Sequence, residues 1–374
     1  MKKLVGVIFG GRSGEHEIAI RSAKTVIEQI DHERFDVLPI LINNAGHWQD
    51  PHESAKCFGP ETRTRFEPAL AALPAGNVAL IGDPNYKGIR NLDEASQLPV
   101  DVFFPVLHGT FGEDGTIQGL FDMADVPYVG CGVLASSCGM DKTVMKALFR
   151  EAGLPLCRYT WFLRSEWEAD SGRVLELIAT TIGFPSFVKP ANLGSSVGVS
   201  RAEDENALRK AIDGACTYDR KIIVEEALAM REIECAVVGN DTPKASLPGE
   251  YVIRDKTHAF LDYKEKYGST GNNEFVVPAM LSQELENKVR ELAISAFKSI
   301  DGSGLARVDF FLRSDNGMLL VNEINTMPGL TDASGFPKMW AGSGLPFTEV
   351  ITELIELAFE RHRDRSRNKT TFES

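Results

Sequence analysis

Residues 306–325 have the sequence ARVDFFLRSDNGMLLVNEIN, which predicts two strands joined by a tight turn. Side chains alternate between the two faces of a strand. Arg307 and Asp309 therefore share one face of the first strand, and apolar residues occupy the other. Glu323 and Asn325 share a face of the returning strand in the same way. The hairpin is thus expected to carry polar groups on one side and core residues on the other.

The turn Asp315-Asn316-Gly317 decides which residues lie opposite each other. A three-residue turn with Gly317 in the left-handed conformation places Asp309 opposite Glu323. A two-residue Asn-Gly turn shifts the register by one residue and places Glu323 on the wrong face. We predict the three-residue turn.

That register gathers two carboxylates, Asp309 and Glu323, and the amide of Asn325 on one face. These are hard oxygen ligands of the kind that Mg²⁺ uses when it is bound through substrate phosphates. The alternative is a pair of acids on a solvated sheet face. However, the strands are strongly apolar and Arg307 flanks the acids, and like charges in such surroundings require a cation. We therefore predict a metal site.

Residues 187–199, FVKPANLGSSVGV, place a lysine at the end of a buried strand and then a glycine-serine turn. Backbone N–H groups in such a turn can hold phosphate oxygens, and Lys189 supplies positive charge. The P-loop pattern G-x-x-x-x-G-K-[ST] is absent. An ordinary surface turn is the alternative, but the position after Lys189 favours a lid that folds over a triphosphate and excludes water.

The first third alternates strands with amphipathic helices, which predicts a doubly wound parallel sheet. Strands are expected at 5–9, 35–42 and 100–107, with an irregular insertion at 50–98. Further along the chain, helices are expected at 142–152, 206–215, 284–300 and 348–362. Additional strands are expected at 184–189, 197–201, 222–226 and 233–238.

Two glycine-rich turns, at 10–17 and 108–116, follow predicted strands and therefore lie at the ligand-facing edge of the sheet. Glu15 either interacts favourably with a helix dipole or holds a substrate ammonium group. His108 is either a satisfied structural residue or part of a substrate pocket.

Bulk composition limits the class of protein. A chain of 374 residues is expected to form two or three domains, and 43% apolar with 25% charged residues is typical of a globular protein. The formal net charge of −13 argues against nucleic-acid binding. No apolar run approaches the roughly 20 residues of a membrane helix, and six scattered cysteines favour reduced thiols in the cytoplasm. The basic residues from Arg361 to Lys369 are expected to form a solvated, fraying end.

Several motifs, in one order along nearly the whole chain, resemble those of the D-alanine–D-alanine ligase family, within the ATP-grasp superfamily. They are GGRSGEHE at 10–17, HGTFGEDG at 108–115, MDK at 140–142, KPANLGSSVG at 189–198, YKEKY at 263–267 and NEINTMPG at 322–329. The resemblance implies an α/β fold that becomes α+β in the C-terminal part. It predicts an N-terminal substrate-binding domain at 1–126, a central ATP-grasp lobe at 127–226, and a C-terminal lobe with the metal site at 227–374.

The resemblance also implies the chemistry. ATP phosphorylates the carboxylate of one D-alanine, the amine of a second attacks the acyl phosphate, and the dipeptide enters peptidoglycan synthesis. The reaction needs ATP and two Mg²⁺ ions, for which Mn²⁺ can substitute, and the enzyme is expected to be a cytoplasmic homodimer that binds neither nucleic acid nor membrane.

Site residues follow by position. The resemblance assigns catalytic roles to Glu15, Ser195, Tyr267, Arg307 and Gly329. Glu15, His108, Arg307 and Ser334 are expected to bind the amino-acid substrates. The residues expected to bind ATP are Lys142, Phe187, Lys189, Ser196, Glu225, Glu226, Ala227, Leu228, Glu232, Phe260, Lys266 and Asn322. The metal ligands are Asp309, Glu323 and Asn325.

Two positions depart from the family pattern, namely Met230 before Arg231 and Leu261 in the tyrosine-containing loop. Neither lies on the metal face. One alternative activity uses D-lactate or D-serine as the second substrate, although Tyr267 favours D-alanine because depsipeptide-forming relatives carry histidine in this loop. A non-catalytic nucleotide-binding regulator would be expected to lose the metal and phosphate residues. A nicotinamide dehydrogenase would need G-x-G-x-x-G, which is absent.

Overall fold

The computed structural model describes residues 2–71, 73–86, 88–98, 100–194, 197–253 and 273–369. The elements of the first part are β1 (Lys3–Gly10), α1 (His16–Gln29), β2 (Phe35–Ile42), α2 (Pro51–Ser54), α3 (Pro60–Arg63), α4 (Glu67–Leu70), β3 (Val78–Leu80), β4 (Ile89–Asn91), β5 (Gln97–Leu98), β6 (Val102–Val106) and α5 (Thr116–Met123). Strands β2, β1 and β6 form a parallel sheet in that order, which confirms the predicted sheet type.

The predicted irregular insertion at 50–98 is wrong as a description. Its described residues form three short α-helices, one turn of 3₁₀ helix (Ala55–Cys57) and a small antiparallel sheet of β3, β4 and β5. Phe58 and Phe66 from this segment pack in the core that surrounds the parallel sheet. The ring centroids of Phe58 and Phe9 are 5.1 Å apart. The segment was predicted as irregular because its elements are too short to show a period.

The central elements are α6 (Val133–Met140), α7 (Lys142–Glu151), β7 (Tyr159–Leu163), α8 (Arg164–Ala169), α9 (Ser171–Thr181), β8 (Ser186–Pro190), β9 (Ser200–Ala202), α10 (Glu205–Cys216) and β10 (Lys221–Glu226). The sheet has the order β7-β10-β8-β9, with antiparallel neighbours throughout. The strand predicted at 197–201 is shorter and later than expected. Helix α7 begins where predicted, because Asp141 caps it by accepting hydrogen bonds from Thr143 N and Val144 N.

The last elements are β11 (Met230–Gly239), β12 (Lys244–Ala245), β13 (Gly249–Ile253), β14 (Asn273–Val276), α11 (Gln283–Ser299), β15 (Gly304–Arg313), β16 (Leu319–Asn325), α12 (Gly335–Gly342) and α13 (Phe347–Arg365). The sheet order is β14-β13-β11-β15-β16. The predicted helices at 206–215, 284–300 and 348–362 are confirmed to within a few residues.

The final helix packs against the N-terminal sheet, so the two ends of the chain share one core. Val350, Ile351, Leu354 and Ile355 are buried there with residues of β1 and β6. The predicted solvated end begins too early, because the Arg361 guanidinium donates to Tyr128 O at 3.0 Å and to Ser303 Oγ at 2.7 Å. Helix α13 continues to Arg365, and Arg361 ties it to Tyr128 and Ser303.

Candidate active site

The hairpin of β15 and β16 has the predicted register at its polar end, with Asp309 opposite Glu323. The turn that produces it differs from the prediction. Arg313 N donates to Met318 O at 3.0 Å, so four residues rather than three lie between the paired ends. Gly317 is left-handed as predicted, with φ +70°.

A β-bulge between the turn and the site offsets the longer turn. Phe310 pairs with Val321, but Asp309 pairs with Glu323, so Asn322 is the extra residue. Without the bulge Asp309 would face Asn322. The longer turn and the bulge each shift the register by one residue, in opposite senses, and together they restore the predicted pairing.

Arg307 and Asp309 form a two-pronged ion pair on the polar face of the hairpin. Arg307 Nε lies 2.7 Å from Asp309 Oδ1, and Nη2 lies 2.7 Å from Oδ2. Asn325 Nδ2 donates to Asp309 Oδ2 at 3.1 Å. The guanidinium thus orients the carboxylate that was predicted to bind metal, as bidentate arginine pairs do.

Glu234 joins this group from the neighbouring strand, where the sequence analysis did not foresee it. It pairs directly with Asp309 across β11 and β15, and its Oε2 lies 3.4 Å from Arg307 Nε. Glu234, Asp309 and Glu323 therefore lie in a row across three adjacent strands. The signal that could have found Glu234 is an acid inside the otherwise apolar run that begins at Ile233.

Lys189 and Lys146 lie on either side of the buried carboxylate of Glu225. Lys189 Nζ lies 2.6 Å from Oε2 and Lys146 Nζ lies 2.9 Å from Oε1. Burial alone would raise the pKa of Glu225, but the two ammonium groups lower it overall. For Lys146, burial favours the neutral form, but Glu225 raises its pKa above the usual value. All three groups are therefore charged at neutral pH.

Lys142 lies where the glycine-serine loop meets the hairpin. Its ammonium donates to Leu193 O at 2.7 Å and lies 3.8 Å from Glu323 Oε2. Helix α7 is thus in contact with both the loop and the predicted metal site.

One cavity contains most of the described residues predicted to bind ATP. Its lining includes Lys142, Phe187, Lys189, Glu225, Glu226, Leu228, Glu232, Asp309, Asn322 and Glu323. Ala227 is not part of this lining. Its N–H donates to Pro185 O at 3.1 Å. The carboxylate of Glu226 accepts from Arg158 N at 2.8 Å and from Arg158 Nε at 2.9 Å.

A second cavity contains Glu15, His108 and Arg307, three of the four residues predicted to bind the amino-acid substrates, whereas Ser334 is not part of its lining. Glu15, His108, Arg307, Asn325 and Gly329 all contribute to its lining. The two cavities share Lys142, Leu193, Gly194 and Glu323, so they form neighbouring chambers of one cleft.

His108 is buried in the second cavity and has a polar partner at each ring nitrogen. Nε2 lies 3.0 Å from Ser22 Oγ, and Nδ1 lies 3.2 Å from Met327 O and 3.5 Å from Glu113 Oε1. Burial lowers the pKa of His108, but Glu113 and Glu15 outweigh it and raise the pKa overall. Glu113, which the sequence analysis did not single out, thus stabilises the imidazolium.

Ser334 lies at the start of α12 and is bonded locally. Its hydroxyl lies 2.7 Å from Thr331 Oγ1 and accepts from Thr331 N at 3.2 Å. A Cβ added to the adjacent Gly335 would lie 2.6 Å from Glu234 Oε2, so the turn at Ser334 adjoins the Arg307 group. Ser195, Ser196, Phe260, Lys266 and Tyr267 lie outside the described residues.

Both halves of the chain match family models. Residues 4–131 match the N-terminal model of D-ala D-ala ligases, and residues 148–356 match the C-terminal model. A D-alanine–D-alanine ligase of Heliobacterium modesticaldum is 46% identical over 373 residues, covering 99% of this chain and 98% of its own length. One from Bacillus velezensis is 45% identical over 371 residues, covering 98% of this chain and 100% of its own.

The chain belongs to the D-alanine–D-alanine ligase family. The prediction of an ATP-dependent ligase is thereby confirmed for family and enzyme class. Solved structures of ligases are also similar to this chain. That of the Coxiella burnetii ligase is 33% identical with a TM-score of 0.80, covering 98% of each chain. The VanG D-Ala:D-Ser ligase of Enterococcus faecalis is 33% identical with a TM-score of 0.81, covering 96% of this chain and 100% of its own.

These structural likenesses confirm the predicted ATP-grasp fold for this family member. Among the helices in the described part of the chain, none has the length and apolar character needed to cross a bilayer.

Proposed function

We propose that this chain joins two D-alanine molecules. ATP phosphorylates the carboxylate of the first, and the amine of the second displaces phosphate from the acyl phosphate. The product, D-alanyl-D-alanine, would serve peptidoglycan precursor synthesis. The observation that carries the proposal is the shared wall of the two cavities, where Lys142 and Glu323 border both chambers. A carboxylate held in one chamber can there meet a phosphate held in the other.

Amino-acid binding is assigned to the chamber with Glu15 and His108. The carboxylate of Glu15 would hold the ammonium group of the first D-alanine, connected through Ser195 to Tyr267. Its position supports this role, because the carboxylate lies close to the backbone of both Gly109 and Gly194. A Cβ added to Gly109 would lie 2.8 Å from Glu15 Oε2, and a Cβ added to Gly194 would lie 3.7 Å from the same oxygen. Ser334 would meet the carboxylate of the second D-alanine.

Stabilisation of the tetrahedral oxyanion is assigned to Arg307 and the N–H of Gly329. Both residues line the amino-acid chamber. Arg307 is oriented by Asp309 and Glu234, so its charge is in place before the reaction. Preorganised donors of this kind are a major source of catalysis in acyl transfer.

ATP binding is assigned to the other chamber. Lys142, Lys189 and Lys266 would contact the phosphates, Glu232 the ribose, and the segment from Glu225 to Leu228 the adenine. Phe187, Ser196, Phe260 and Asn322 would complete the nucleotide site. The charges of Lys142 and Lys189 support the phosphate role, because developing negative charge in phosphoryl transfer requires cations.

A magnesium site fits the donor set at the shared wall. Asp309 and Glu323 present carboxylates and Asn325 an amide on one face, which are hard oxygen donors. These three residues would hold two Mg²⁺ ions, or Mn²⁺ in their place. Bound there, Mg²⁺ supplies neutralisation of the phosphate charge. Among the described residues, no group of three or more His, Cys, Asp and Glu is arranged to hold a metal.

We also assign the protein to the cytoplasm as a homodimer. Its six cysteines are free thiols, which fits a reducing compartment. Sedimentation velocity would measure the dimer directly, and a single species at the monomer mass would contradict it.

ADP release measured with D-alanine, L-alanine, D-serine and D-lactate in turn tests the proposed reaction. D-Alanine alone is expected to support fast ADP release with formation of the dipeptide. D-Serine as the preferred second substrate is the alternative, supported by the likeness to the D-Ala:D-Ser ligase. ADP release that is independent of any amino acid would contradict both.

A further inference from the structure

Lys146 is a buried lysine that the proposed reaction does not use. Its side chain is 1% exposed, and it lies one helical turn after Lys142 on the same face of α7. Its ammonium lies 2.9 Å from Glu225 Oε1 and donates to Asn322 O at 3.1 Å. A buried charge persists only where such partners compensate it. One partner belongs to the nucleotide chamber, and the other belongs to the strand of the metal site.

The carbonyl that Lys146 holds is that of the bulge residue. A bulge takes one residue out of the ladder and leaves its backbone groups in need of other partners. The residue before it is also held from outside the hairpin, because Val321 N donates to Pro155 O at 2.7 Å. Lys146 therefore supplies a hydrogen-bond partner from outside the hairpin for the carbonyl of the bulge residue.

The bulge decides which side chain faces Asp309. Extension of the pairing from Phe310 and Val321 without a bulge would place Asn322 opposite Asp309 and Glu323 opposite Val308. Since paired residues share a face, the carboxylate of Glu323 would then point into the apolar core beside Val308, which is fully buried.

We propose that Lys146 is a positioning residue for the metal site, which holds the carbonyl of Asn322 and so keeps the carboxylate of Glu323 beside Asp309. The inference rests on the proposed metal-binding role of Glu323. Helix α7 then fixes this part of β16 twice, with Lys146 at the backbone of Asn322 and Lys142 near the side chain of Glu323. Glu225 balances the charge of Lys146. Because Glu225 lines the nucleotide chamber, Lys146 contacts both that chamber and the strand of the metal site.

The test is a titration of the full chain with Mn²⁺ in the presence of ADP. Electron paramagnetic resonance measures the concentration of free Mn²⁺ and so gives the dissociation constant. Lys146→Met keeps the length of the side chain and removes its charge and donor. Its dissociation constant for Mn²⁺ is expected to rise about tenfold or more, as it does when a residue that orients a ligand is lost. The Mg²⁺ concentration that half-saturates ligation should rise in parallel, and excess Mg²⁺ should restore most of kcat.

Arg361→Met is the matched control for lost stability. Arg361 is a partly buried cation that holds carbonyls in another part of the fold, and it lines neither chamber. Its removal should lower the melting temperature and leave the Mn²⁺ affinity unchanged. An equal loss of Mn²⁺ affinity in both variants would overturn the proposal, and so would an unchanged affinity in a folded Lys146→Met protein.

Lys146→Gln replaces the methionine variant if that protein does not fold. Its amide is polar but shorter, so it cannot reach both partners, and the same loss of Mn²⁺ affinity is expected. Glu323→Ala separates the two hypotheses. If Glu323→Ala binds Mn²⁺ as the wild type does, the metal assignment itself fails. If Glu323→Ala loses Mn²⁺ and the Lys146 variants do not, only the positioning role fails.

Discussion

Lys189 and Glu225 lie on the adjacent strands β8 and β10, and their side chains meet at 2.6 Å between Nζ and Oε2. With Lys146 on the other carboxylate oxygen, the buried anion compensates two cations at the wall of the nucleotide chamber. The arrangement keeps Lys189 charged where a phosphate is expected.

Glu225→Gln should therefore destabilise the fold strongly. Loss of the carboxylate leaves two buried ammonium groups side by side, and breaking a buried pair in this way costs about 3–5 kcal/mol. Urea denaturation at neutral pH measures the difference. A loss below roughly 1 kcal/mol would show that the two lysines find other partners.

The difference in unfolding free energy between wild type and Glu225→Gln should decrease as the pH falls. The folded-state pKa of Glu225 lies below its usual 4.5, so its stabilising contribution is complete above that value and declines as the pH falls. The gap in unfolding free energy between wild type and Glu225→Gln should narrow when the pH is lowered below 4.5. A gap that widens on acidification would contradict the assigned charge state.

Arg307→Lys should reduce kcat by about 10²–10³, because a lysine cannot reproduce the two-pronged geometry beside the oxyanion. Arg313→Lys is the matched control on the same strand. Arg313 pairs with Asp315 in the same fashion, at 2.9 and 2.6 Å, but at the surface. Steady-state kinetics of both variants should show a loss only for Arg307→Lys, and equal losses would remove the catalytic assignment.

Gly109→Ala should raise KM for D-alanine. The new Cβ would lie 2.8 Å from Glu15 Oε2 and displace the carboxylate that is assigned to the substrate ammonium. A misplaced binding group costs on the order of tenfold to a hundredfold. Gly153→Ala is the control, since Gly153 has a similar φ of +73° and no atom within 4 Å of the added Cβ. Both variants should lose about 1–2 kcal/mol of stability from the left-handed backbone, and only Gly109→Ala should change KM.

Glu113→Gln should lower the pKa of His108. In the folded protein that pKa lies above the usual 6.5, so the stabilisation from the imidazolium is present below 6.5 and is lost as the pH rises through the folded value. Imidazole ¹⁵N chemical shifts against pH measure the midpoint for His108. Glu53→Gln, at an exposed glutamate, should leave it unchanged, and an unchanged midpoint in Glu113→Gln would contradict the assigned cause.

The register of the hairpin shows which features of the site a local sequence pattern can predict. Gly317 predicted a left-handed turn residue and Asp309 was expected opposite Glu323, and both are confirmed. The turn itself is longer, and the bulge compensates. A signal for the bulge was present in the sequence, because Val321 and Ile324 are both core residues and lie three apart. Two residues on one face of a strand must be separated by an even number unless a bulge intervenes.

By itself, the sequence determined the parallel sheet of the first part, the longer helices further along the chain, the polar face of the hairpin and the motifs of the family. These depend on neighbours along the chain, whose geometry is set by backbone periodicity. Only the tertiary structure decided that Glu234 joins Asp309 and that Lys146 supports the bulge. It also decided that Lys142 lines both chambers. Such contacts join elements far apart in the chain, and their positions follow from how whole sheets and helices pack rather than from any local repeat.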